Sequence, residues 1–227
     1  MNNKNILIIL HQANSTPGRI GALLEKRGYK LDIRRPALGD KLPITLNEGH
    51  EAAIMFGGPM SASDNDDFIK YEKDWINIPI KENKPFLGIC LGAQLLSCTL
   101  GGNIKTKDNV EIGYYPIIPT DIGKKLLKWP SFVHQWHREW MQPPKNTDIL
   151  AVSEDGDPQA FRYSEKIFGI QFHSELTLAM INRWLVRAEH RLDLNGAQER
   201  KKHFEGRFMY DDDVKTWLND FFNLLLV

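Results

Sequence analysis

The chain has 227 residues, 42% of them hydrophobic and 26% charged, with Lys+Arg and Asp+Glu equal at 29 each. That composition suits a globular protein with a real core, and a net charge of zero gives no electrostatic reason to expect nucleic acid or an anionic membrane as partner. No stretch approaches the ~18 apolar residues of a membrane span, and the run Ile6–Leu10 is too short for a secretory signal.

In chain order, Asn5–Leu10 is a continuous apolar run that reads as a strand buried on both faces, as in a parallel sheet. A helix over Arg19–Arg27 follows, with Ser15 or Thr16 as cap, Pro17 in the first turn and Gly28 as stop. Lys30–Arg34 and Ala52–Phe56 are the next strands, and Asp66–Lys81 a helix. Pro85–Leu87 is a short strand running into Gly88-Ile89-Cys90, and Leu91–Leu100 a helix stopped by Gly101-Gly102. This alternation predicts an α/β fold around a parallel sheet. From Asn103 to Gln171 short β-like runs dominate: Ile112–Ile118, Ser131–Gln135, Ile149–Val152, Gln159–Arg162 and Ile167–Phe172. Leu176–His190 is helical, with Trp184 and Leu185 among its apolar positions. Asp193–Val227 forms one or two more helices and ends in the short apolar Leu224–Val227, and the acidic run Asp211-Asp212-Asp213 is expected to cap a helix. With no repeat and no long linker, the expectation is one compact domain with a C-terminal helical extension.

Cys90 and Cys98 are eight residues apart. On one helix they are separated by about 12 Å of rise, too far for a disulfide, and a reducing cytoplasm is the expected home. Cys98 sits among Leu95, Leu96 and Leu100 and reads as core. Cys90 is different. Gly88 and Gly92, two residues to either side, leave the space that a nucleophile on a tight strand–turn–helix needs. A helix N-terminus there favours the thiolate, and the Leu91 N–H is placed to bind a developing oxyanion. By composition, Gly-x-Cys-x-Gly-x-Gln arises by chance in fewer than about one chain in a thousand of this size. The alternative is a buried small hydrophobe whose glycines only close helix–strand packing.

A cysteine nucleophile usually works with a histidine, which a carboxylate orients. His173-Ser174-Glu175 follows the strand Ile167–Phe172, and strand ends on the carboxyl side of a parallel sheet are where such folds build sites. Alone, His-x-Glu carries little weight, since Glu175 could equally open the next helix. Gly57-Gly58-Pro59 also follows a strand end. It reads either as a second oxyanion donor, through the Gly58 N–H, or as an ordinary Gly-Pro turn. The segment His134–Glu139 reads as strand then loop. Its two histidines invite a metal, but cysteine chemistry needs none, so substrate contact or a structural loop is preferred. His11, His50, His190 and His203 lack chemical company and read as surface or satisfied core positions.

Taken together, Gly57-Gly58-Pro59, Gly88-Ile89-Cys90-Leu91-Gly92-Ala93-Gln94 and Gln171-Phe172-His173-Ser174-Glu175 resemble the class I, or triad, glutamine amidotransferases over roughly residues 5–190. The nearest likeness is to stand-alone domains similar to the amidotransferase part of GMP synthase. The resemblance implies a flavodoxin-like open, mostly parallel sheet with helices on both faces over residues 1–190, with residues 191–227 as a helical extension packed on the same domain. It implies Cys90 as nucleophile, His173 as general base and acid, and Glu175 as orienter. It further implies oxyanion donors at the Gly58 and Leu91 N–H groups, and substrate contacts from Gln94, Gly57, Trp136 and His137. No cofactor and no metal are implied. The substrate is glutamine or a γ-glutamyl small molecule, converted through a γ-glutamyl thioester to glutamate and ammonia.

The chain departs from the family pattern at Arg138-Glu139, where close relatives often read Gly-Asp, and at Ser174, where many read Pro. The residues beyond 190 are too few for a synthase domain, so acceptor chemistry either falls to a separate synthase or acceptor subunit or does not occur. Two alternatives stay open: a γ-glutamyl peptidase, in which an amine leaves instead of ammonia, and a non-catalytic binding or regulatory subunit. Residues 191–227 are free to cover the site, mediate a homodimer or complete the core.

Overall fold

The structure, a computed structural model, describes residues 4–226. The first three residues and Val227, the last of the apolar C-terminal end, lie outside the described residues. Ten strands and seven α-helices follow one another as β1 Asn5–Ile9, α1 Gly18–Lys26, β2 Lys30–Arg34, β3 His50–Met55, α2 Asp67–Trp75, α3 Asn77–Lys81, β4 Phe86–Ile89, α4 Leu91–Thr99, β5 Asn103–Pro116, β6 Ile118–Pro119, α5 Asp121–Leu126, β7 Phe132–Gln142, β8 Asp148–Val152, β9 Pro158–Ser164, β10 Ile167–Ile170, α6 Leu178–Arg187 and α7 Arg200–Leu225.

The main sheet has the order β2-β1-β3-β4-β10-β9-β8-β6. The pairs from β2 through β10 are parallel, and β9, β8 and β6 extend the sheet in antiparallel fashion. The alternation of β1 explains why it reads as a continuous apolar run. Ile6 and Ile8 enter a cluster with Ile20 and Leu24 of α1 and with Trp217 and Phe221 of α7. Leu7 and Ile9 face the other way, into a cluster with Ile69 and Trp75 of α2 and with Leu95 and Leu96 of α4. Both faces of the sheet are therefore covered by helices, as a parallel sheet requires.

Several expectations change. Neither Ser15 nor Thr16 caps α1; Pro17 takes the cap position and no side-chain hydrogen bond forms there. Asp66–Lys81 is two helices, broken at Ile76. Residues 103–111 are strand despite their polar sequence, because β5 pairs with β7 in a separate two-stranded ribbon that leaves much of this stretch exposed on both faces. His134–Glu139 is strand throughout, not strand then loop. Helix α5 is an unforeseen element, opened by Thr120, whose Oγ1 accepts from the Gly123 N–H at 3.1 Å. Within the C-terminal stretch Arg200–Leu225 is one long helix, in keeping with the one or two expected, but Asp211-Asp212-Asp213 lies in its middle, not at a cap. Asp211 is there for its partners: it pairs with Arg19 at 2.5 Å, Arg207 at 2.9 Å and Lys215 at 3.0 Å.

Candidate active site

Strand β4 ends at Ile89 and α4 begins at Leu91, so the chain turns on one residue, Cys90. Its φ is +51°, in the left-handed region that L side chains rarely adopt. Holding a non-glycine residue there costs about 1–3 kcal/mol. The turn is fastened at both ends: the Cys90 N–H donates to Ile170 O of β10 at 2.8 Å, and Cys90 O accepts from the Gln94 N–H at 3.0 Å. A Cβ on Gly88 would stand 2.5 Å from Gly92 O, and one on Gly92 would strike the backbone of Met55. Any side chain at either position would therefore open the turn.

His173 and Glu175 follow β10, the strand paired beside β4. His173 Nδ1 is 2.7 Å from Glu175 Oε1, and Cys90, His173 and Glu175 are all buried. Burial opposes charge on the imidazole, but the Glu175 carboxylate and the Cys90 sulfur overcome it and push His173 up to about 10. With Nδ1 bound to the carboxylate, Nε2 is left as the working nitrogen. Trp184 of α6 packs edge-on against the ring, centroids 4.9 Å apart. The gap between imidazole and thiol is closed by Gly57, where a Cβ would lie 2.9 Å from His173 Cε1 and 3.2 Å from Cys90 Cβ.

Gly57 and Gly58 lie at the start of the loop after β3. The N–H groups of Gly58 and Leu91 make no hydrogen bond with another described residue, so both are free to receive a ligand oxygen. His11 backs this loop. Its Nδ1 lies 3.2 Å from Gly57 O and its Nε2 2.9 Å from the buried Glu72 carboxylate, so it is a satisfied core residue.

The cavity in front of Cys90 measures about 690 Å³ and includes Gly57, Gly58, Trp136, His173 and Glu175 in its wall. Gln94 and His137 are not in that wall. The Gln94 amide donates to Glu139 O at 2.8 Å, and His137 Nε2 lies 2.9 Å from Glu111 Oε2. Both stand one layer behind. Gln171 was not foreseen as a site residue: its Nε2 is 3.7 Å from Cys90 Sγ, while its Oε1 accepts from the Met141 N–H at 3.1 Å. Arg183, Arg187 and Arg191 also face the cavity and were not foreseen; their spacing of four, running from a predicted helix just past its end, was the available signal. Among the described residues no three His, Cys, Asp and Glu side chains are placed to hold a metal ion. Cys90 and Cys98 are both free; Cys98 is half-buried, and burial pushes its thiol up.

Comparison with known proteins places this arrangement in a family. The model of the "Glutamine amidotransferase class-I" family matches residues 16–189. The chain is 28% identical over 186 residues to the glutamine amidotransferase-like protein YfeJ of Salmonella typhimurium, covering 76% of each protein. It is 32% identical over 163 residues to a subunit of the glutamine-hydrolyzing GMP synthase of Sulfolobus acidocaldarius, covering 70% of this chain and 85% of that one. A crystal structure of a glutamine amidotransferase from Thermotoga maritima superposes with a TM-score of 0.88 at 26% identity, over 100% of both chains. A glutamine amidotransferase from Methylobacillus flagellatus shares the fold, with a TM-score of 0.91 at 21% identity. With the family model spanning most of its length, this chain belongs to the class I glutamine amidotransferases.

Proposed function

We propose that the chain hydrolyses the γ-amide of glutamine or of a closely related γ-glutamyl compound, with Cys90 as nucleophile, His173 as general acid and base, and Glu175 as the residue that orients His173. The observation that carries this is Cys90 itself. It is held at φ +51° between β4 and α4 and faces a histidine already tied to a carboxylate. A chain kept only for binding would have no use for that strained residue at the base of a cavity.

The raised proton affinity of His173 favours a proton on the imidazole, and it is the thiolate form of a cysteine that attacks. Sγ bonds to the γ-carbonyl carbon, and the oxygen takes up charge facing the N–H groups of Gly58 and Leu91. His173 Nε2 gives its proton to the leaving nitrogen, the C–N bond breaks, and a γ-glutamyl thioester remains. Water then attacks the thioester and His173 takes its proton. The C–S bond breaks, glutamate leaves and the thiolate–imidazolium pair returns. Gly57 and Trp136 border the substrate directly, while Gln94 and His137 support the wall from behind. No cofactor or metal enters the route. When ammonia is the product, a separate synthase subunit is the fitting acceptor, by likeness to the relatives that are subunits of GMP synthase.

Glutamate release from glutamine and from γ-glutamyl dipeptides tests this. Cys90→Ala should lower the rate by about 10³-fold or more while the fold survives. Activity persisting in that variant would sink the thioester route.

A further inference from the structure

Helix α6 presents Arg183, Arg187 and, just past its end, Arg191 to the cavity at intervals of four residues, with His190 beside them. Among the described residues the one carboxylate in the same wall is Glu175, which His173 already holds. A second cavity of about 420 Å³ adjoins, sharing Arg183 and Arg187 and adding Arg35, with no acidic residue among the described residues of its wall. Arg183 Nη1 donates to Asn14 O at 2.9 Å. Among the described residues, the guanidinium groups of Arg187 and Arg191 have no hydrogen-bond or ion-pair partner. Arg191 is half-buried. Burial and the nearby Arg138 make its charge costly, and the Cys90 sulfur offsets only part of that. A half-buried cation without a paired counterion is stabilised by whatever anion enters beside it.

The direction of the leaving group follows from the chemistry. His173 protonates the departing nitrogen, so that nitrogen lies on the His173 side of the scissile carbonyl. The ring of His173 packs on Trp184, which α6 carries between Arg183 and Arg187. Whatever is attached to the leaving nitrogen therefore meets the arginine face of α6. The main cavity alone, at about 690 Å³, is of the size that takes a drug-sized ligand rather than a close fit for one free amino acid.

We infer that Arg187 and Arg191 form an anion subsite for a carboxylate on the amine half of the substrate, so that the chain favours γ-glutamyl amino acids over glutamine. This deepens the proposed function and rests on it. The reaction is unchanged except that the amino acid's nitrogen, not ammonia, takes the proton from His173 as the C–N bond breaks.

Calorimetric titration of the Cys90→Ala chain, whose turnover is expected to be slower by about 10³-fold or more, separates binding from catalysis. γ-Glutamylglycine should bind about ten-fold or more tightly than γ-glutamylglycinamide, which lacks only the terminal charge. Adding Arg187→Gln and Arg191→Gln should bring the two ligands together. Equal binding of the two ligands, binding of neither, or a difference that survives both arginine changes would overturn the subsite. A third ligand, amidated instead at the α-carboxylate, identifies which carboxylate is read. If its weaker binding is what the arginine changes erase, the arginines serve the glutamyl end and the assignment to the amine half fails. Failure of the Cys90 route shows separately, as no glutamate release from any of these compounds by the unaltered chain, and leaves the binding result standing.

Discussion

At the scale of single residues, the site rests on one proton. His173 is pushed up to about 10 because the Glu175 carboxylate and the Cys90 sulfur outweigh the cost of burying its charge. In the proposed route the imidazolium is the group that protonates the leaving nitrogen, and it persists until the solution approaches that value. Activity should hold through neutral pH and fall on the alkaline side as His173 loses its proton. Glu175→Gln removes the largest of the effects that favour the cation. The alkaline limb of kcat/KM should then move to lower pH, with kcat reduced by about 10²-fold or more, since the ring also loses its anchor. A pH profile with an unmoved limb would show that Glu175 does not govern the His173 proton. The three residues of this set could be proposed from the sequence because Gly-x-Cys-x-Gly marks a tight strand–turn–helix, and His-x-Glu gained weight only beside it. Gln94 and His137 were less so. Sequence spacing gives the element a residue sits on, but not whether its side chain meets the cavity or the layer behind it.

At the scale of elements, α7 is tied to the site more closely than its position in the chain suggests. Its residues Val214, Trp217, Leu218, Phe221, Phe222 and Leu225 enter the cluster that holds β1 and β10, each such burial contributing about 1.5–3 kcal/mol. Its Arg207 and the Arg19 of α1 both donate to Leu176 O, the residue after Glu175, at 2.8 and 2.9 Å, and both pair with Asp211. The Arg19 N–H also donates to Glu175 O at 2.9 Å. Near the start of the helix, His203 Nε2 donates to Gln198 O, which leaves its Nδ1 to accept from His134 at 3.1 Å. Burial, helped by the nearby charges, holds both of these rings below the ordinary imidazole value, so they serve as neutral hydrogen-bonding groups. Asp211→Asn leaves two arginines short of their shared counterion and should cost about 3 kcal/mol in chemical denaturation. It should also lower kcat through the Glu175 backbone without changing the pH limb. A loss under about 0.5 kcal/mol would mean the network is only a surface ornament. A helical extension packed on the domain was expected from the sequence, but the Asp211 network was not. Three consecutive aspartates resemble a cap, and only the approach of α1 and the 175–176 segment turns one of them into a buried hub.

At the scale of the molecule, the site is assembled from the ends of neighbouring parallel strands: the loop after β3 supplies Gly57 and Gly58, the turn after β4 supplies Cys90, and the segment after β10 supplies His173 and Glu175. The β3–β4–β10 adjacency brings together residues more than a hundred positions apart in the chain. The α/β alternation that builds the parallel half was plain in the sequence, since β1, β4, β10 and most of β3 are apolar runs, with only the edge strand β2 mixed. The β5–β7 ribbon was not, because its outer stretch pairs through the backbone with little apolar side-chain pattern to mark it. The sheet order brings Cys90, His173 and Gly58 to one cavity, with Leu91 next to Cys90 in the chain, and the proposed chemistry turns on what forms at that cysteine. Rapid acid quenching of the unaltered chain during turnover, followed by mass spectrometry of its peptides, reads this directly. The peptide bearing Cys90 should carry a γ-glutamyl adduct that is absent without substrate and absent in His173→Ala. Turnover with no adduct on Cys90, or an adduct on Cys98 instead, would contradict the thioester route.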